Sequence, residues 1–170
     1  DDMNETTVDK ADSEEKERDN VQSPLVLVVE DNEDIRQYIQ ESLDADYRVI
    51  QAANGKIGET IALEKIPDII VSDIMMPVMD GIEMTKHLKE NILTSHIPII
   101  LLTAKTGVSD REIGYNSGAD SYLTKPFSSK LLVSRIRNLL SGRRRLAELI
   151  AERIDMEGMI PGTPADPKDD

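Results

Sequence analysis

Apolar residues fall into two spacings along this chain, short unbroken runs and four-residue repeats, and the two alternate. Leu25–Val29, Tyr47–Ile50, Ile69–Ser72, Ile97–Thr103 and Ser121–Thr124 are runs of strand length. Between them come helical spacings. The first holds Ile35, Ile39 and Leu43, and the second Ile57, Ile61 and Leu63, opening at Asn54 and closed by Pro67. Ile82–Asn91 follows, then Asp110–Asn116, stopped by Gly118. From Ser128 onward Leu131, Leu132, Ile136, Leu139 and Leu140 repeat at helical spacing. Continuous apolar strands alternating with helices predict right-handed βαβ units, and so an α/β domain on a parallel five-stranded sheet covered on both faces.

The flanks break the pattern. Residues 1–23 hold nine acids against three bases and almost no apolar bulk, too little to offset the entropy of ordering them. Residues 159–170 carry Pro161, Pro164 and Pro167 and end in charge. Both are expected to be linkers around a folded core at 24–142. The last helix does not stop at that core. Gly142 is a candidate break, but Leu146, Leu149, Ile150 and Ile154 carry the spacing on, so 143–158 is expected to be a helical extension. Such a stripe needs a partner surface unless it is only a frayed amphipathic end.

A net charge of −13 argues against direct nucleic-acid binding, since the chain would repel phosphates. No cysteine is present, which removes disulfides and thiolate metal sites and fits a reducing cytoplasm. No apolar run approaches the ~20 residues that cross a bilayer, and no signal peptide is visible. The first residue is Asp1, which suggests a piece of a longer protein.

A parallel sheet places its ligand site at the carboxyl ends of its strands. Here those ends carry Glu30 and Asp31, then Asp73, then Thr103, and Lys125 after the last strand. Each has a plainer reading alone: Glu30-Asp31 as a helix cap, Asp73 as a turn residue before Pro77, Thr103 as a cap, Lys125 as a solvated surface charge. Together they form a site. Two like charges at ~4 Å cost about 1 kcal/mol in water and about 4 kcal/mol at an effective dielectric near 20. Three carboxylates are therefore tolerated best around a cation, and oxygen donors without His or Cys select a hard ion such as Mg²⁺. A lysine and a hydroxyl beside it suit a group with several anionic oxygens. Asp73 then supplies a carboxylate nucleophile.

These residues lie in stretches that resemble the response-regulator receiver family of two-component signalling. They are Leu-Val-Val-Glu-Asp-Asn at 27–32, Ser-Asp-Ile-Met-Met-Pro-Val-Met-Asp-Gly at 72–81, Leu-Leu-Thr-Ala at 101–104 and Gly-Ala-Asp-Ser-Tyr-Leu-Thr-Lys-Pro-Phe at 118–127. The resemblance spans about Pro24 to Gly142. It implies a flavodoxin-like (βα)5 doubly wound fold with strand order 2-1-3-4-5. It implies that Asp73 accepts a phosphoryl group from a phosphohistidine. Glu30, Asp31, Asp73 and the backbone carbonyl of Met75 would hold Mg²⁺, or Mn²⁺ in its place, with Asp31 the direct ligand and Glu30 acting through water. Thr103 and Lys125 would contact the phosphoryl group, and Tyr122 would turn inward as Thr103 moves. The Lys125–Pro126 peptide would be cis. Met75 and Lys105 would govern access of water, an apolar Met75 favouring a long phosphorylated lifetime.

The resemblance also implies a histidine kinase donor, in the same chain or another. Output would pass through the face of the fourth helix, fifth strand and fifth helix, which can also pair receivers as homodimers. The flanks fit a cytoplasmic part of a hybrid sensor histidine kinase and response regulator, whose parent can be membrane-anchored and can carry a transcription-regulating domain. Two other classes compete. A phospho-independent interaction module would lack part of the acid cluster, Thr103 or Lys125. An aspartyl-phosphate phosphatase would need an acid where Met75 stands. A dinucleotide enzyme is excluded, since Glu30-Asp31-Asn32-Glu33 replaces the glycine-rich turn.

Overall fold

In the computed structural model, residues 23–104 and 116–158 are described. Strands β1 (Leu25–Val29), β2 (Arg48–Ala52), β3 (Ile69–Asp73), β4 (Ile99–Thr103) and β5 (Ser121–Thr124) form one sheet in the order β2-β1-β3-β4-β5. Every pairing is parallel. The order reverses between β1 and β3, which opens the crevice expected of a doubly wound sheet at those two strand ends.

Side chains alternate across the sheet and divide the core in two. Leu27, Val29, Ile70, Ile99 and Leu101 face helices α2 (Gly55–Lys65) and α3 (Gly81–Glu90). Val26, Val28, Val71, Ile100 and Leu102 face α1 (Glu33–Leu43) and α4 (Ser129–Gly158). The helices start at side-chain caps: Asn32 accepts from the Ile35 N–H, Asn54 from Ile57 and Asp80 from Glu83. Helix α2 lies close to the sheet because its inner face is small, and a Cβ on Gly58 would come within 2.9 Å of Val29.

The expected elements are present with shifted ends. β2 runs Arg48–Ala52 rather than Tyr47–Ile50, because Gln51 continues the edge strand while its amide is held by Arg36 Nε at 2.9 Å. β4 starts at Ile99 rather than Ile97, since Pro98 cannot donate to the ladder. Gly142 does not break the last helix, which runs unbroken to Gly158. The helix expected at 110–116 lies outside the described residues except for its last residue, as do Lys105, the acidic flank up to residue 22 and the proline-rich flank.

Candidate functional site

Glu30, Asp31 and Asp73 meet at the β1/β3 crevice, each offering a carboxylate oxygen within 4.8 Å of the others. The sheet register brings them there, for Val29 pairs with Ser72, one residue before Asp73. Glu30 is only 1% exposed and Asp73 8%, while Asp31 faces solvent. Asn32 caps α1, so neither Glu30 nor Asp31 is used as its cap.

Lys125 arrives from beyond β5. Its Nζ lies 3.1 Å from Asp73 Oδ2 and 3.5 Å from Glu30 Oε2. Its N–H donates to the Thr103 carbonyl at 2.7 Å, which ties the loop after β5 to the end of β4, and the Lys125–Pro126 peptide is cis. The ammonium pairs with Glu30 and Asp73 of the three clustered carboxylates, and the crowding shows in Glu30. Burial, and then the Asp73 charge, push its carboxyl up to about 7, although Lys125 pulls the other way.

Asp73 is fixed by its surroundings. Its Oδ1 accepts from the Ile74 N–H at 2.9 Å, and its carbonyl accepts from Ser72 Oγ at 2.9 Å. The chain then turns back so tightly that the Gly81 N–H donates to the Ile74 carbonyl. A Cβ on Gly81 would sit 2.1 Å from the Asp73 carbonyl oxygen, so only glycine allows this approach. Thr103 is buried at the end of β4, its hydroxyl 3.5 Å from the Leu123 carbonyl. Tyr122 is half-buried against the core on the α2/α3 side. The Met75 side chain is 70% exposed.

Three contributors carry no clear signal in the sequence. Arg36 donates to the Glu30 carbonyl at 2.8 Å, yet reads as an ordinary charge on a solvated helix. Gly81 reads as turn punctuation, and Ser72 as a strand residue. An apolar groove of about 410 Å³ also opens beside Lys125, lined by Ile35, Tyr38, Ala104, Pro126 and Phe127.

Similar proteins carry the same architecture. A putative response regulator from Chloroflexus aurantiacus superposes with a TM-score of 0.68 at 31% identity, over 71% of this chain and 99% of that one. The receiver domain of a sensor histidine kinase from Pseudomonas aeruginosa, solved with a magnesium ion coordinated in its active site cleft, gives 0.66 at 31% identity, over 70% of this chain and 98% of that one. The family model of the response regulator receiver domain matches residues 26–137, and the chain belongs to that family. It is a receiver domain of the two-component phosphorelay type. Among curated proteins, histidine kinase P4 of Formosa agariphila is 43% identical over 71% of this chain. The chain spans 9% of that kinase, and 52% and 28% of the next two different relatives. Among the described residues no helix is long and apolar enough to cross a membrane.

Proposed function

We propose that Asp73 takes a phosphoryl group from a phosphohistidine of a histidine kinase and holds it as a signal. The observation that carries this reading is the convergence of Glu30, Asp31 and Asp73 at one edge of the sheet, with Lys125 reaching Asp73 and Glu30. An Asp73 carboxylate oxygen attacks phosphorus, the P–N bond breaks, and its electron pair stays on the imidazole nitrogen. Lys125 holds a phosphoryl oxygen, and the Thr103 hydroxyl donates to another. The Ile74 N–H keeps the second Asp73 oxygen in place.

A hard divalent cation fits the donor set, because its side-chain ligands are all carboxylate oxygens and the cluster holds more negative charge than Lys125 offsets. Glu30, Asp31, Asp73 and the Met75 carbonyl would hold Mg²⁺ or Mn²⁺, which would supply positive charge to phosphoryl oxygens. The groove from Ile35 to Phe127 gives the donor domain an apolar seat beside the nucleophile. New contacts to Thr103 and Lys125 bias the face that includes β5 and α4, with Tyr122 turning inward, and that bias is the output.

Residues 24–142 are the receiver unit in this reading, joined by flanking linkers to the remainder of a cytoplasmic hybrid kinase and regulator. The similarity to histidine kinase P4 supports that parentage. Intact mass after incubation with acetyl phosphate and Mg²⁺ is the test. Wild type gains one phosphoryl group and Asp73→Asn gains none. Equal labelling of both, or no label on wild type, sinks the reading.

A further inference from the structure

Helix α4 serves two surfaces with one face. Through Leu132 and Ile136 that face is buried in the core, and Leu139 and Leu140 close the contact. Arg143 marks the edge of the body, its guanidinium donating to the Asp68 carbonyl at 3.0 Å. Beyond it every residue from Arg144 to Glu157 is exposed, yet the apolar stripe goes on. Leu146, Leu149, Ile150, Ile154 and Met156 are 53–69% exposed, a patch about 15 Å long at 1.5 Å per residue. A patch of that size on a helix held straight at its base is a contact surface.

The charges on the extension say what covers it. Its start is Arg143-Arg144-Arg145, three bases without an acid. From Glu148 to Glu157 it carries Glu148, Glu152, Asp155 and Glu157 against Arg153 alone. The segment is basic at one end and acidic at the other, with Leu146 and Ile154 placed symmetrically about Ile150. A second copy laid parallel would set arginines against arginines and acids against acids. Laid antiparallel about Ile150, it sets each arginine run beside the partner's acidic end and brings Leu146 against Ile154. Such a contact is self-complementary about a two-fold axis, so it closes at a dimer. At the base of the helix a cavity of about 270 Å³, lined by Pro24, Asp68, Leu140, Arg143, Arg144 and Ala147, lies where the partner's Met156 would arrive.

We infer that residues 143–158 form an antiparallel helical dimer interface between two copies of this chain, independent of phosphorylation at Asp73. Because the chain contains no cysteine, single cysteines report the geometry without background. Mixed Leu146→Cys and Ile154→Cys proteins are expected to give a disulfide-linked heterodimer under mild oxidation. A dominant Leu146→Cys homodimer, the parallel arrangement, overturns the proposal.

Sedimentation equilibrium supplies the second readout. Arg144→Glu with Arg145→Glu makes both ends acidic and is expected to raise the dimer dissociation constant roughly tenfold or more. Adding Asp155→Lys and Glu157→Lys restores the dimer. Both arginines are exposed, and unchanged acetyl phosphate labelling shows that each variant is folded. Asp73→Asn is expected to dimerise like wild type, so the interface is tested apart from the phosphorylation site. A wild type that stays monomeric at hundreds of micromolar, or that shows equal affinity in the Arg→Glu variant, overturns the inference.

Discussion

At the amino edge of the sheet, Asp68 Oδ2 accepts from the Leu25 N–H at 2.7 Å. Asp120 Oδ2 there accepts from the Ile99 N–H at 2.8 Å and from Lys89 Nζ at 2.9 Å. At the carboxyl edge, Glu30, Asp31 and Asp73 are gathered within 4.8 Å, and Glu30 and Asp73 share one lysine. The same residue types do different things at the two edges because their donors differ. Acids matched by N–H groups and ammonium stitch loops to strands. Acids in excess of their donors leave a concentrated negative charge that a proton or a cation relieves.

The pH dependence of stability gives the largest separation of the two edges. The folded-state carboxyl of Glu30 lies near 7, above its ordinary 4.5, so the fold favours its protonated form. Without metal, the protein is then most stable below about pH 4.5 with respect to this group, and it loses on the order of 3 kcal/mol as pH rises to 7. Urea titrations at several pH values check this, and Glu30→Gln should flatten the profile. Added Mg²⁺ is expected to reverse the trend, since a cation held by the cluster would compete with the Glu30 proton and bind more weakly as pH falls below 7.

Asp120→Ala comes next. It leaves the Ile99 N–H without its acceptor and is expected to cost about 2 kcal/mol, read as a lower urea midpoint. Asp73→Asn removes one of three crowded charges and should leave stability unchanged or raised. A loss as large as that of Asp120→Ala would mean that the two edges are built alike.

Smaller effects follow. Met75→Asn should shorten the half-life of phosphorylated Asp73 by roughly threefold to tenfold, about 1 kcal/mol of barrier, measured by loss of the added mass over time. A slower decay in Met75→Asn than in wild type would show that the exposed Met75 does not shield the site. The smallest effect belongs to His87, which joins α3 to α2 through Glu59 at 3.1 Å. That hydrogen bond raises the imidazole above its usual 6.5. Its contribution is full below 6.5 and fades as pH rises through the raised value. In Glu30→Gln it should be the part of the remaining slope that His87→Ala removes.

Much of the carboxyl edge was legible because its chemistry is written at strand ends, and run lengths mark those ends. Asp73 follows Ile69–Ser72 at once, and Thr103 ends the most apolar run of the chain. What was not legible depends on distance rather than spacing. Nothing in a glycine after Asp80 says that its α-carbon must pass the Asp73 carbonyl. Nothing in Arg36 says that it reaches back to Glu30. The ends of β2 escaped because an edge strand accepts polar residues such as Gln51. The apolar spacing past Gly142 was the better guide to the last helix, because a glycine costs a helix only about 1 kcal/mol, and the Arg143 contact to Asp68 supports the turn that follows it.

That uninterrupted helix also has a mechanical consequence. It begins four residues past Lys125 and runs as a single rod about 45 Å long, with only its first part clamped to the body. A lever of this shape amplifies. A tilt of about 10° at Arg143, where the arm of about 22 Å leaves the body, sweeps the far end by about 4 Å, more than half a helical pitch. A small reorientation where the helix leaves the body is thus enlarged at its far end, enough to shift one row of side chains against the next.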